Sequence, residues 1–343
     1  MVKRKNIEAD RLKKRELWVE RTMRLTGFGR KRVEELLSTP RTQSFRLNPL
    51  FTSSALATNN TQPEPKLSSS NTDSLYKVKS LGIKVEDIRW DGVVAAEGVV
   101  GYAYSQEGLE KLRDSELVTN GEIYIQNAAS WLPVLALDPQ EGETILDVCA
   151  APGGKSSHIQ ALTGNQSRLI CNDNSKPRLM KLQRNMERLG ASASYTLCDA
   201  SRISRQFEAE TFDKILLDAP CSGEGLMTFD ELKLFDSWSV AHIRRLSDLQ
   251  KKILHESWQL LKPGGTLVYS TCTMAPEENE SVIDYFLRKH PGASLESLDF
   301  AFDNKITALQ QWNDKLFAND LSHCLRLLLG ELTEAFFVAK LVK

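Results

Sequence analysis

The stretch Thr144-Ile145-Leu146-Asp147-Val148-Cys149-Ala150-Ala151-Pro152-Gly153-Gly154-Lys155 reads as an apolar strand that passes through a small, glycine-rich turn into a helix. Glycine there lets backbone approach a ligand closely, and the N-terminus of the following helix favours an anion. Outward from it, apolar strands alternate with helices. The candidate strands are 144–148, 168–172, 194–197, 214–217, 266–270, 293–298 and 335–341, with helices starting near Gly154, Ser175, Ser239 and Pro276. Such alternation implies parallel βαβ units with right-handed crossovers, and hence an α/β fold built on a doubly wound, seven-stranded, Rossmann-like sheet. Ligands in these sheets bind beyond the carboxyl ends of the strands. Residues 147–155, Asp173, Asp199, 218–222 and 270–273 each follow a predicted strand, so they are expected along one crevice.

Three readings of the glycine turn compete. A phosphate-binding loop needs a glycine five positions before Gly154, where Cys149 stands, and the dinucleotide pattern GxGxxG is absent. The third is a cofactor that presents a carboxylate and no phosphate. S-adenosyl-L-methionine fits it, with its methionine carboxylate on the turn. Asp173, at the end of the second strand, is then placed to accept from both ribose hydroxyls, and Asp199 after the third strand from the adenine amino group. A bland alternative is that each Asp merely caps a turn or helix.

Two later strands end in cysteines, Cys221 in Asp218-Ala219-Pro220-Cys221 and Cys272 in Ser270-Thr271-Cys272-Thr273. Methylating C5 of a pyrimidine requires that the ring first lose its aromaticity. A thiolate added at C6 makes C5 enamine-like, an acid at N3 stabilises the adduct, and a base must finally remove the C5 proton. One thiol and one carboxylic acid are the minimum.

The segments LDVCAAPGGK (146–155), LLDAPCSGEG (216–225) and YSTCTMAPEENE (269–280), with QNAASWLPVLALDPQEGE (126–143) upstream, closely resemble the RsmB/RsmF and Sun family of RNA cytosine-C5 methyltransferases. The resemblance covers roughly residues 120–343 and extends to Arg46-Leu47-Asn48. It implies that Cys149, Ala150, Ala151, Pro152, Gly153, Gly154 and Lys155 wrap the cofactor. Asp173, Arg178, Asp199 and Asp218 would complete its pocket. It makes Cys272 the nucleophile and Cys221 the group that assists release. Lys155 keeps two roles, pairing with the cofactor carboxylate or acting on the base side near Asp218. The loop 222–228 would cover a flipped base or be an ordinary mobile loop. Glu278-Asn279-Glu280 reads as the first turn of a helix. DNA enzymes of related fold take their nucleophile from the Pro-Cys segment and lack the Thr-Cys; a catalytically silent RNA-binding factor would have lost Cys272 or the glycine turn. A small-molecule methyltransferase does not need both cysteines at these places.

The chain has 343 residues, 41% of them hydrophobic, enough for one large domain and a smaller one. No run of about 18 apolar residues exists and the N-terminus is charged, so neither a membrane span nor a signal peptide is expected, and the cytoplasm is the default compartment. The six cysteines are widely spaced, which argues against zinc and any other metal. Net charge is −1, yet residues 1–46 hold fourteen Lys and Arg against six Asp and Glu. That basic arm suggests a polyanion, and the resemblance implies RNA, ribosomal or transfer, with no obligatory protein partner evident. Lys13, Lys14, Arg15, Arg30, Lys31 and Arg32 are the candidate phosphate contacts. The expected division is a helical arm and subdomain start at 1–50, a flexible insertion at 51–75, the rest of a small α+β RNA-binding subdomain at 76–125, and the methyltransferase domain at 126–343.

Overall fold

In a computed structural model, which describes residues 2–51, 69–88, 101–104 and 108–343, the chain begins with helices α1 (Val2–Thr26) and α2 (Arg30–Leu37). They are packed onto the body rather than projecting from it. Trp18, Val19, Leu25, Val33 and Leu37 are buried in the cluster that holds Phe235 and Trp238. Trp18 meets Phe235 edge to face, with centroids 5.4 Å apart. Burying one large aromatic in this way is worth about 3 kcal/mol.

A small antiparallel sheet follows, in the order β2-β3-β1-β4, from β1 (Gln43–Leu47), β2 (Val85–Asp87), β3 (Gly101–Tyr104) and β4 (Ile123–Ile125). Helices α3 (Ser69–Ser80), α4 (Leu109–Arg113) and α5 (Glu116–Thr119) accompany it. Phe45, Val78, Tyr104, Leu112 and Ile123 form its own core. Of the insertion expected at 51–75, residues 52–68 lie outside the described residues, while 69–75 belong to α3.

Then α6 (Leu132–Leu137) leads into the alternating region: β5 (Thr144–Asp147), α7 (Gly154–Leu162), β6 (Arg168–Asp173), α8 (Lys176–Arg188), β7 (Ser194–Leu197), β8 (Phe212–Asp218), α9 (Val240–Leu260), β9 (Leu261–Thr271) and α10 (Glu280–Lys289). The strands β7-β6-β5-β8-β9 pair in parallel. Their residues Ile145, Leu146, Ile215, Leu216, Leu267 and Val268 are fully buried, as a sheet covered on both faces requires. The order reverses at β5, which opens the crevice expected beyond the strand ends.

Among the described residues the doubly wound sheet has nine strands where seven were expected. Strand β10 (Ser294–Glu296) is shorter than the run 293–298 suggested, and it pairs with only the far end of β15 (Phe336–Val342). The near end of that edge is taken by β14 (Leu325–Leu327), joined by β11 (Lys305–Ile306). Strands of two or three residues are too short to show alternation. A hairpin of β12 (Gln311–Trp312) and β13 (Lys315–Leu316) stands apart. Because β15 runs antiparallel to β9, with Phe337 opposite Thr271, its beginning lies at the carboxyl edge of β8 and β9. No helix among the described residues is long and apolar enough to cross a membrane.

Arg46 and Asn48 join the small sheet to the large domain. The Arg46 guanidinium, 1% exposed, donates to Gly154 O at 3.0 Å, Ser157 Oγ at 2.5 Å and Gln126 Oε1 at 3.2 Å. Burial brings its pKa down to about 10, which leaves it charged at neutral pH. Asn48 Nδ2 donates to the carbonyls of Gly121 and Leu189 at 2.8 and 2.9 Å.

A candidate active site at the carboxyl edge of the sheet

The turn after β5 is built as its glycines suggest. Gly153 has φ +104, and a Cβ there would come within 2.8 Å of Leu182 Cδ1. Arg178 Nη2 donates to Ala151 O at 2.9 Å and pairs with Asp173 at 3.2 Å, and Asn185 Nδ2 donates to Pro152 O at 2.8 Å, so α8 holds the turn in place. Asp147 lies beneath it. Its Oδ2 accepts from Ser156 Oγ at 2.6 Å, its Oδ1 is buried without a hydrogen-bond partner, and burial pushes its carboxyl up to about 7. Burial beside Asp147, Asp218 and Asp173 pushes the Cys149 thiol up, which keeps it neutral.

The two aspartates expected to hold a nucleoside also perform the bland task. Asp173 Oδ1 accepts from Ser175 N at 3.0 Å, and Asp199 caps the short helix 200–205 by accepting from Ser201 N at 2.9 Å. Asp173 is buried at the end of β6, whereas Asp199 is exposed, its pKa lowered chiefly by the Ser201 backbone bond. The turn therefore offers open helical N–H groups, an orphaned buried oxygen and a carboxylate at the next strand end. That arrangement suits a ligand with a carboxylate and a sugar, and S-adenosyl-L-methionine is such a molecule.

The other half of the crevice lies beyond β8 and β9, where Asp218 stands opposite Ser270. Asp218 accepts from Lys155 Nζ at 2.7 Å and from Ser270 Oγ at 2.8 Å. Burial works against the Lys155 charge, but Asp218 outweighs it and holds the ammonium above its ordinary pKa, with Cys272 and Asp147 adding to the effect. Lys155 thus lies against Asp218. Cys221 Sγ and Cys272 Sγ are 3.3 Å apart and both half-buried. The contact with Cys272, then burial, push Cys221 well above the usual thiol range.

The loop 222–228 is fastened at several points. Gly225 N donates to Cys272 O at 2.9 Å, and a Cβ at Gly225 would run into the carbonyls of Ala335 and Cys272. Arg41 donates to Met227 O at 2.7 Å and Trp238 Nε1 to Glu224 at 2.8 Å.

Three features escaped the sequence reading. Helix α10 begins at Glu280, so Glu278 and Asn279 precede it. Asn279 accepts from Thr271 Oγ1 at 2.5 Å and donates to Thr273 O at 2.9 Å, and Glu278 accepts from Ser222 and Gln250. Their side chains are spent on the cysteine loops, which is why the helix starts later than Pro276 suggested. Arg326 on β14 makes a buried bidentate pair with Glu280 and donates to Met274 O at 2.9 Å. Glu334, just before β15, is pushed up to about 7 by burial, against the fields of Arg41 and Lys155. Of the expected phosphate contacts, Lys14 is spent on the carbonyls of Phe235 and Asp236, Arg15 lies over Phe229 and Arg30 pairs with Glu16 and Glu34. Lys13, Lys31 and Arg32 are exposed, Arg32 over the Phe28 ring.

The family described as 16S rRNA methyltransferase RsmB/F matches residues 134–342. A tRNA (cytosine(49)-C(5))-methyltransferase of Pyrococcus abyssi is 36% identical over 65% of this chain and 71% of its own length. Ribosomal RNA small subunit methyltransferase F of Aeromonas salmonicida is 43% identical over 54% of this chain and 40% of its own length. The crystal structure of a methyltransferase homolog from Pyrococcus horikoshii superposes with a TM-score of 0.75 at 27% identity, over 98% of this chain and 99% of that one. The chain spans less than half the length of the bacterial curated relatives it matches.

Proposed function

Because this chain belongs to the 16S rRNA methyltransferase RsmB/F family, we propose that it methylates C5 of a cytosine in ribosomal or transfer RNA, using S-adenosyl-L-methionine, through a covalent adduct at C6. The observation that carries the reading is the thiol pair Cys221 and Cys272, 3.3 Å apart beyond β8 and β9, where Lys155 of α7 reaches Asp218.

The residues divide the work by environment. Cys272 lies on the side of the Lys155 ammonium, and it is the nucleophile that adds to C6. The Lys155–Asp218 pair supplies the hydrogen bond that stabilises charge at N3 as the adduct forms. Residues 149–155 with Asp173, Arg178 and Asp199 would hold S-adenosyl-L-methionine, which would supply the electrophilic methyl group. Cys221, pushed up by its neighbour and by burial, is a poor nucleophile near neutral pH but, once ionised, a strong base. With its own proton given up to solvent, the Cys221 thiolate takes the C5 proton, the C5–H electron pair closes the C5–C6 double bond, and the C6–S bond breaks to return the Cys272 thiolate.

The test is incubation of the purified chain with methyl-labelled cofactor and RNA from cells lacking the gene, followed by bisulfite sequencing. A discrete new 5-methylcytosine is expected. RNA binding without methyl transfer would overturn the reading.

A further inference from the structure

The residues that follow the two cysteines are tied to each other, and each is tied to a buried glutamate. Ser222 Oγ lies 2.8 Å from Thr273 Oγ1. On the Cys221 side, the fully buried Glu278 accepts from Ser222 N at 2.9 Å, Ser222 Oγ at 2.5 Å and Gln250 Nε2 at 2.9 Å. Gln250 also donates to Pro220 O at 2.9 Å, so the Gln250–Glu278 couple grips both neighbours of Cys221. On the Cys272 side, Thr273 Oγ1 donates to Glu224 at 3.3 Å. Arg21 on α1 holds Glu277, next in the chain to Glu278, through two bonds of 2.7 and 3.2 Å. A buried carboxyl is expensive to keep.

We propose that Glu278 is a positioning residue: bonded to Ser222 and, through Gln250, to Pro220, it fixes Cys221 against Cys272 and, as a buried carboxylate beside that thiol, divides the role of Cys221 from that of Cys272 on the Lys155 side. The division of roles rests on the reading under Proposed function; the effect on Cys221 does not.

The electrostatics run in the required direction. Burial pushes the Glu278 carboxyl up to about 7, with Glu224 pushing the same way and the Ser222 and Gln250 bonds opposing it. Above that pH its charge opposes ionisation of Cys221, on which Cys272, Glu278 and Asp218 all act in the same sense. The groups facing Glu278 are Ser222 and Cys221 from the loop after β8, Gln250 from α9, Tyr269 from β9, whose hydroxyl donates to Glu278 O at 2.6 Å, and Glu224. None of them is a cation that would cancel its field.

The test is Glu278→Gln, which keeps the volume, accepts from Ser222 N and Gln250, and donates to Ser222 Oγ. In the full chain carrying Cys272→Ser, alkylation of Cys221 by iodoacetamide is followed on its own peptide by mass spectrometry across a pH series. Glu278→Gln is expected to alkylate about tenfold faster at mildly alkaline pH, its midpoint lying about one pH unit lower. An unchanged rate and midpoint would overturn the proposal. Ser222→Ala loosens the bonds but keeps the charge, and is expected to leave the midpoint in place; a displacement as large as that of Glu278→Gln would assign the effect to the bonds and overturn the role of the charge. Alkylation needs neither RNA nor cofactor. Failure to find 5-methylcytosine would thus refute the enzyme reading, while the alkylation profile still decides the role of Glu278.

Discussion

Cys221 Sγ stands 3.3 Å from Cys272 Sγ, although 51 positions separate the two residues in the chain. The cause is register. Strands β8 and β9 are parallel neighbours with Asp218 opposite Ser270, so the third residue beyond one strand position and the second beyond the other meet over the same edge.

Replacing Cys272 by Ser is expected to abolish methyl transfer and any RNA adduct, a drop of roughly a thousandfold or more in rate. Single-turnover assays with labelled cofactor measure it. Retained turnover would move the nucleophile role to Cys221.

Cys221→Ser is expected to behave differently, leaving the base attached to Cys272 because the C5 proton is not removed. The readout is a denaturation-resistant protein–RNA complex on a gel, and its absence would remove Cys221 from the release step.

Of the six expected phosphate contacts, Lys13, Lys31 and Arg32 are exposed. Their triple replacement by Gln is expected to weaken RNA binding and make its salt dependence shallower, by about 0.7 in the log–log slope for each phosphate no longer neutralised. Point changes are the appropriate probe, because truncation would remove Trp18, Val33 and Leu37 from the core. An unchanged slope would place the RNA on another face.

Arg46→Met is expected to destabilise the fold by about 3 kcal/mol, since it leaves Gly154 O, Ser157 Oγ and Gln126 Oε1 without their donor. Urea unfolding measures this, and a loss of less than about 1 kcal/mol would show that the joint between the small sheet and the large domain does not depend on it.

Asp147 gives a pH signature. Its carboxyl is near 3.8 in the unfolded chain and pushed up to about 7 in the fold. The folded chain keeps a proton that the unfolded chain gives up, so the group's contribution to stability falls as pH rises through that window and levels off above it. Asp147→Asn is therefore expected to match the parent at acid pH and to be more stable above neutrality by up to a few kcal/mol, since each pH unit within the window is worth about 1.4 kcal/mol. Urea midpoints at several pH values, without ligand, check the sign. An advantage largest at acid pH would refute it.

Local chemistry made much of this legible. The apolar runs of β5, β6, β8 and β9 are buried on both faces, so their pattern survives as near-continuous hydrophobic residues that any reading of the chain finds. The turn at Gly153 needs a left-handed φ that only glycine adopts freely, and so it too is written locally. The three-residue β14 was not legible, because it is recruited to the edge of β15 by pairing and by the Arg326–Glu280 bond across 46 positions. Glu278 was misread for a related reason: an acid before a helix has a sufficient local explanation in the helix dipole.

The doubly wound fold, the glycine turn and the cysteines worth watching were all written in the chain alone, because each follows from periodicity, backbone preference or side-chain chemistry within a few residues. Which charges meet was settled by folding. Lys155 reaches Asp218, Arg46 reaches the helix of the glycine turn, Glu278 reaches the loop of Cys221, and the first helices spend half of their expected phosphate contacts on the protein itself. Electrostatic partners are set by distance and burial, and neither is encoded in the spacing of residues along the chain.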